Sequence, residues 1–96
     1  MGDQTTRIDV RCEPSARGWD CRVTVGEDPA ATTHAVEVTA EDLARFAPNA
    51  TVDRLVAASF EFLLEREPRE AILRRFELPV IGRYFPEYAE EIGRRV

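Results

Sequence analysis

The chain has 96 residues, of which 44% are aliphatic, aromatic or cysteine and 32% are charged. These values exclude a disordered polypeptide and allow one small core. The net charge of −5 argues against broad nucleic-acid binding, which needs cations to displace counterions from phosphates.

All 13 basic residues are arginine, a usage expected of a high-GC genome. No apolar run reaches bilayer-spanning length. Met1-Gly2-Asp3-Gln4-Thr5-Thr6 lacks the basic and apolar regions of an export signal. The expectation is a soluble cytoplasmic protein without a membrane partner, in which Cys12 and Cys21 are reduced thiols.

The first half predicts strands. Ile8, Val10 and Cys12 alternate with Arg7, Asp9, Arg11 and Glu13, and Trp19, Cys21, Val23 and Val25 alternate with polar residues. Period two with β-branched residues is the signal of a half-buried strand. Pro14-Ser15-Ala16-Arg17-Gly18 supplies the turn between them. Charge favours a register with Arg11 opposite Asp20 and Asp9 opposite Arg22, because a shift of two sets Arg11 against Arg22 and Glu13 against Asp20. In the favoured register Cys12 and Cys21 are diagonal, which opposes a disulfide. A third strand is expected over Thr33–Thr39 with His34, Val36 and Val38 inward, reached through a long mobile connection from Gly26 to Thr32. Glu37 would then stand beside Arg22 in an exposed ion ladder.

The second half predicts helices. Thr39 followed by Glu41 and Asp42 reads as an N-cap with acidic first-turn residues. A main helix is expected from about Thr51 to Glu67, with Val52, Val56, Ser59 and Leu63 on one stripe and Leu55, Phe60, Phe62 and Leu64 flanking it. An apolar arc this wide needs cover on two sides. Pro68, Pro79 and Pro86 each suit the first position of a helix. Three short helices are therefore expected: Pro68–Phe76, Pro79–Tyr84 and Pro86–Arg94. The predicted fold is α+β, one domain over residues 1–96. A three-stranded antiparallel β-meander (7–39) is packed on one face by a long helix and several short proline-started helices (40–96).

No residues are assigned to catalysis, to a cofactor or to a metal. His34, the single histidine, sits inward near a strand end and reads as structural; with Cys21 it is the one enzyme pairing that can be named. The spacing of Cys12, Cys21 and His34 does not suit zinc. Arg66, Arg69, Arg74 and Arg75 form the one basic concentration, on a segment that resembles a crude helix-turn-helix pair. Interleaved Glu65, Glu67, Glu70 and Glu77 make it read as a salt-bridged surface, so nucleic acid is a disfavoured partner. Tyr84, Phe85 and Tyr88 are the expected interaction surface if the short helices leave them uncovered. The functional expectation is a non-enzymatic protein-interaction or regulatory module, self-associating or binding a protein partner. A nucleic-acid-binding regulator and a small enzyme are the alternatives.

The run Ser59-Phe60-Glu61-Phe62-Leu63-Leu64-Glu65-Arg66-Glu67-Pro68, with Ile72-Leu73, Phe76, Leu78, Val80-Ile81 and Tyr84-Phe85-Pro86-Glu87-Tyr88, resembles a block shared by a family of short, uncharacterised proteins from high-GC bacteria. The resemblance implies a stand-alone small domain. It brings no activity, cofactor, partner or functional residue with it.

Overall fold

The computed structural model describes residues 6–27 and 29–96. The reading of Met1–Thr5, and Asp28 in the connection after the second strand, lie outside the described residues. The strands are β1 (Ile8–Pro14), β2 (Gly18–Val25), β3 (Thr32–Thr39) and, after two helices, β4 (Arg75–Glu77). The helices are α1 (Ala40–Phe46), α2 (Val52–Leu64), α3 (Val80–Tyr84) and α4 (Tyr88–Arg95), with a 3-10 turn at Arg69–Ala71. The sheet order is β1-β2-β3-β4, antiparallel except for the parallel β3–β4 pair. The α+β class is as expected; the sheet is four-stranded and mixed, where a three-stranded antiparallel meander was expected. The added strand is β4.

That strand replaces the helix expected over Pro68–Phe76. Ile72 and Phe76 are four residues apart, which is helical spacing, and both are buried. The sheet nevertheless outcompetes the local helix. Ala35 N–H donates to the Arg74 carbonyl at 2.8 Å, and Leu78 N–H donates to the Glu37 carbonyl at 3.0 Å. These bonds tie the segment to β3, using a carbonyl that a helix ending at Phe76 would have left without a partner, and tertiary pairing overrides weak local propensity.

The β1–β2 register is the one that charge disfavoured. Arg11 lies opposite Arg22, Glu13 opposite Asp20, and Cys12 opposite Cys21. The turn explains it. A two-residue hairpin closes on a hydrogen-bonded pair, and the favoured register would have asked Pro14 for an N–H it lacks. In the observed register Ser15 closes the turn, its N–H donating to the Gly18 carbonyl at 2.8 Å. Pro14 then stands in a non-hydrogen-bonded position on the sheet edge, where proline is tolerated. Repulsion between exposed charges is weak by comparison. The β2–β3 register, a separate pairing, sets Glu37 opposite Asp20 and Arg22 opposite Ala35. The expected ion ladder is thus replaced by a row of carboxylates, Glu13, Asp20, Glu37 and Glu77, across all four strands.

Cys12 and Cys21 form a disulfide, which corrects the free-thiol expectation. Direct opposition at a non-hydrogen-bonded pair brings the Cα atoms to 4.0 Å, the closer of the two antiparallel spacings. The diagonal placement that argued against the bond does not occur.

The wide apolar arc of α2 is covered on two sides. Toward the sheet, Phe60 packs on His34 and Phe76 with ring centroids 5.3 and 6.1 Å apart. Away from it, Phe62 meets Phe85 at 5.9 Å and Tyr88 at 5.3 Å. Helix α1 starts at a capping box: the Thr39 hydroxyl accepts from Asp42 N–H, and the Asp42 carboxylate accepts from Thr39 N–H, both at 3.0 Å. Helix α2 is capped by Thr51, whose hydroxyl accepts from Arg54 N–H at 3.2 Å. It ends at Leu64, short of Glu67, where Arg66 Nη1 donates to the Phe62 carbonyl at 3.1 Å. A side-chain cation on a last-turn carbonyl closes a helix as a further turn would.

Candidate interaction surface

The chain leaves α2 at Leu64, makes the 3-10 turn, crosses to β4 and returns as α3. This path encloses an apolar groove of about 180 Å³. Leu63, Ile72, Phe76 and Ile81 form its buried floor; Leu73 and Tyr84 form its walls. These two are the exposed large apolar side chains among the described residues, at 47% and 66% exposure. Neither helix nor strand geometry explains an exposed leucine and tyrosine on facing rims, so the groove is the surface to weigh.

Of the aromatic residues expected at the surface, Tyr84 alone is freely exposed. Phe85 is half-buried against Phe62. Tyr88 is completely buried and leaves the set. Its hydroxyl lies 2.7 Å from Ser59 Oγ, and Ser59 donates in turn to the Leu55 carbonyl at 2.8 Å. Burial pushes the Tyr88 phenol well above its ordinary value, so it stays protonated as a donor. Leu73 was missed because the segment read as helix, where it would have faced the core stripe.

The four arginines do not form one patch. Arg66 donates to Glu87 at 3.1 Å and lies 3.6 Å from the centroid of the Phe62 ring. Arg69 donates to the Ala30 carbonyl at 3.1 Å. Both are structural ties. Arg74 and Arg75 are exposed and make no ion pair with a described residue. The crude helix-turn-helix pair that this segment resembles in sequence is not formed, since Arg75 lies in β4 and no helix spans Pro68–Phe76. Beside Arg66, the hydrogen bond from Arg95 at 2.6 Å holds the Glu65 carboxyl below its ordinary range. Together these contacts clamp α4 onto the end of α2.

His34 and Cys21 do not form a catalytic pair. Cys21 is bonded to Cys12, so it offers no thiolate. His34 is buried, and both ring nitrogens are used. Nδ1 lies 2.8 Å from the Leu73 carbonyl and Nε2 lies 2.9 Å from Thr32 Oγ1. A carbonyl can only accept, so Nδ1 carries the proton and Nε2 accepts from the threonine hydroxyl. The imidazole pins the loop before β4 to β3.

A second, polar concavity of about 440 Å³ lies between β2, β3 and α1, bordered by Asp20, Glu37, Asp42 and Glu77 with Arg17 and Trp19. Among the described residues no group of three or more histidine, cysteine or acidic side chains is arranged to hold a metal ion. No described helix is long and apolar enough to cross a membrane. No protein-family model matches the chain, and no curated protein and no solved structure matches it.

Proposed function

We propose that this chain is a non-enzymatic protein-interaction or regulatory module that acts through its helical half. The observation that carries the reading is the groove with Leu73 and Tyr84 on its rims. Its floor is apolar and already packed, so it offers a site for one large apolar side chain of a partner. The exposed side chains of Arg74 and Arg83 adjoin Leu73 and Tyr84 in sequence, and with Arg75 they have no described carboxylate partner, against one acidic residue, Glu67, in the groove lining. They complement an acidic segment, so the proposed occupant is a leucine or phenylalanine presented by an acidic stretch of another protein.

This reading ranks above a nucleic-acid regulator because Arg66 and Arg69, half of the basic set, are spent on internal contacts. It ranks above an enzyme because the named cysteine and histidine are both engaged. The all-arginine basic set supports a high-GC bacterial source. A cytoplasmic location, expected from the sequence, would favour the reduced counterpart of the Cys12–Cys21 bond.

The test is an NMR titration of the full chain with acidic hexapeptides carrying a central leucine, phenylalanine or serine. Shifts confined to amides of Ile72, Phe76 and Ile81, for the apolar peptides alone, are expected. Equal response to the serine peptide, or undiminished response in Leu73→Ser and Tyr84→Ser, would overturn the reading. Both substituted side chains are exposed, so the fold survives.

A further inference from the structure

We infer that β1 is the docking edge for a second copy of this chain, joined as an antiparallel strand pair centred on Val10. β1 is the outermost strand of the sheet, at the end opposite β4. Its bonds to β2 come from alternate residues. Gly26 N–H donates to the Arg7 carbonyl and Ser15 N–H to the Gly18 carbonyl, both at 2.8 Å. In an antiparallel pair such bonds recur at every second residue. Arg7, Asp9, Arg11, Glu13 and Ser15 therefore face β2. Ile8, Val10 and Cys12 turn their N–H and C=O groups to the open side, where they have no hydrogen-bond partner among the described residues. β1 is seven residues long, without lysine or a bulge and with its proline only at the last position, so its alternating charges are the main device that guards this edge.

The charges on this strand identify the occupant. Arg7, Asp9, Arg11 and Glu13 are all exposed and alternate in sign along the solvent face. Read backwards, the series is its own complement. With Val10 opposite Val10 of the second copy, Arg7 meets the second copy's Glu13 and Asp9 meets its Arg11, twice each by symmetry. A shift of two residues either way sets Asp9 against Asp9 and Arg7 against Arg11, or Arg11 against Arg11 and Asp9 against Glu13. Register is therefore specified as well as affinity.

Within one copy these charges are poorly served. Arg11 faces Arg22 and Glu13 faces Asp20 across β2. Their described ion pairs are long, 3.6 Å for Arg11–Asp9 and 3.9 Å for Arg7–Glu27. The second copy places an opposite charge on the free side of each. On the inner face it sets Val10 against Val10 and Ile8 against Cys12, continuing a layer of half-buried apolar side chains that pack on the core. The product is one eight-stranded sheet with β1 of both copies at its centre. This interface is separate from the Leu73–Tyr84 groove and does not rest on it.

Sedimentation equilibrium of the full chain across the micromolar range, with amide exchange followed by NMR, tests the inference. A monomer–dimer equilibrium is expected, with protection of the Ile8, Val10 and Cys12 amides rising with concentration. Val10→Pro removes an outward N–H that the monomer does not use, and should weaken dimerisation at least about tenfold. The all-basic variant Asp9→Arg/Glu13→Arg and the all-acidic variant Arg7→Glu/Arg11→Glu should each be monomeric alone and form a heterodimer when mixed. A wild-type chain that is monomeric throughout, or a dimer indifferent to Val10→Pro and to the charge variants, overturns it. Association accompanied by protection at Leu73 or Phe76 and none at Val10 also overturns it.

Discussion

The hydroxyl of Tyr88 in α4 lies 2.7 Å from Ser59 Oγ in α2, with both residues fully buried. Because Ser59 donates to the Leu55 carbonyl, Tyr88 is the donor to Ser59. The two partners are therefore unequal. Ser59→Ala leaves a buried phenol with no acceptor and should destabilise by about 1–3 kcal/mol. Tyr88→Phe leaves Ser59 still bonded to its carbonyl and should cost less, about 1 kcal/mol. The double variant should resemble Tyr88→Phe rather than the sum. Urea denaturation of the three variants checks the order.

Gly18 begins β2 opposite Thr39. A Cβ there would collide with the Val38 carbonyl and come within 2.7 Å of Thr39 Cα and 2.9 Å of Ala40 N. All three are backbone and cannot rotate aside. Gly18→Ala is expected to lower stability by about 2 kcal/mol, the scale of overpacking a tight site. A matched substitution at Gly93, where a Cβ meets nothing, should be neutral or stabilising, since alanine is the better helix residue. Thermal melts of the pair give the comparison.

The Cys12–Cys21 bond closes a loop with a sequence separation of 9. Cross-linking a loop that short removes denatured-state entropy equivalent to about 2–3 kcal/mol. Reduction, or Cys12→Ser/Cys21→Ser, should lower the unfolding free energy by that amount. It should leave the β1–β2 register intact, because Pro14 and the Ser15–Gly18 turn set it independently. Denaturation with and without reductant, with cross-strand NOEs between Arg11 and Arg22, checks both halves of the statement.

Burial pushes the His34 imidazole below its ordinary value of 6.5; the hydrogen bond to the Leu73 carbonyl opposes this, and the Arg74 guanidinium adds to it. The unfolded chain thus takes up a proton at this residue before the folded one does. Stability from neutral His34 is fully present above about pH 6.5 and falls as the pH drops from there toward the folded value. His34→Gln should abolish this slope while leaving the separate loss at more acid pH. There, Glu65 and Glu87 lose the folded-state advantage that their depressed values record. Stability against pH for the two proteins measures it.

The strands and the long helix were legible because each rests on a repeating pattern. Seven alternating residues from Trp19 to Val25 can bury one face in only one way, and the arc from Val52 to Leu64 demanded cover on both sides. Thr39 was legible as a cap because Asp42 stood three residues on. Register was not legible from charge, because exposed like charges repel weakly whereas a proline without an N–H cannot close a hairpin. The disulfide followed the register. β4 escaped because three residues are too few to show alternation against the helical spacing of Ile72 and Phe76. Tyr88 looked like surface because its hydroxyl suggested water, and Ser59 supplied the polar partner instead. Leu73 as a groove rim could have been found only by treating Arg75-Phe76-Glu77 as a strand.

The contact from His34 to the Leu73 carbonyl joins positions 39 residues apart, and the β3–β4 ladder begins beside it. The β1–β2 hairpin and α2 can each nucleate from neighbours in the chain. The fourth strand must wait until everything between has been gathered in. Loop closure over that span sets a kinetic order in which the hairpin forms early and the return strand docks last. Three residues long and at the sheet edge, the return strand is expected to open more readily than the central strands. A groove walled by Leu73 and floored by Phe76 therefore exists only as long as that last-formed strand holds. Its occupancy by a partner should slow amide exchange there more than anywhere else in the molecule.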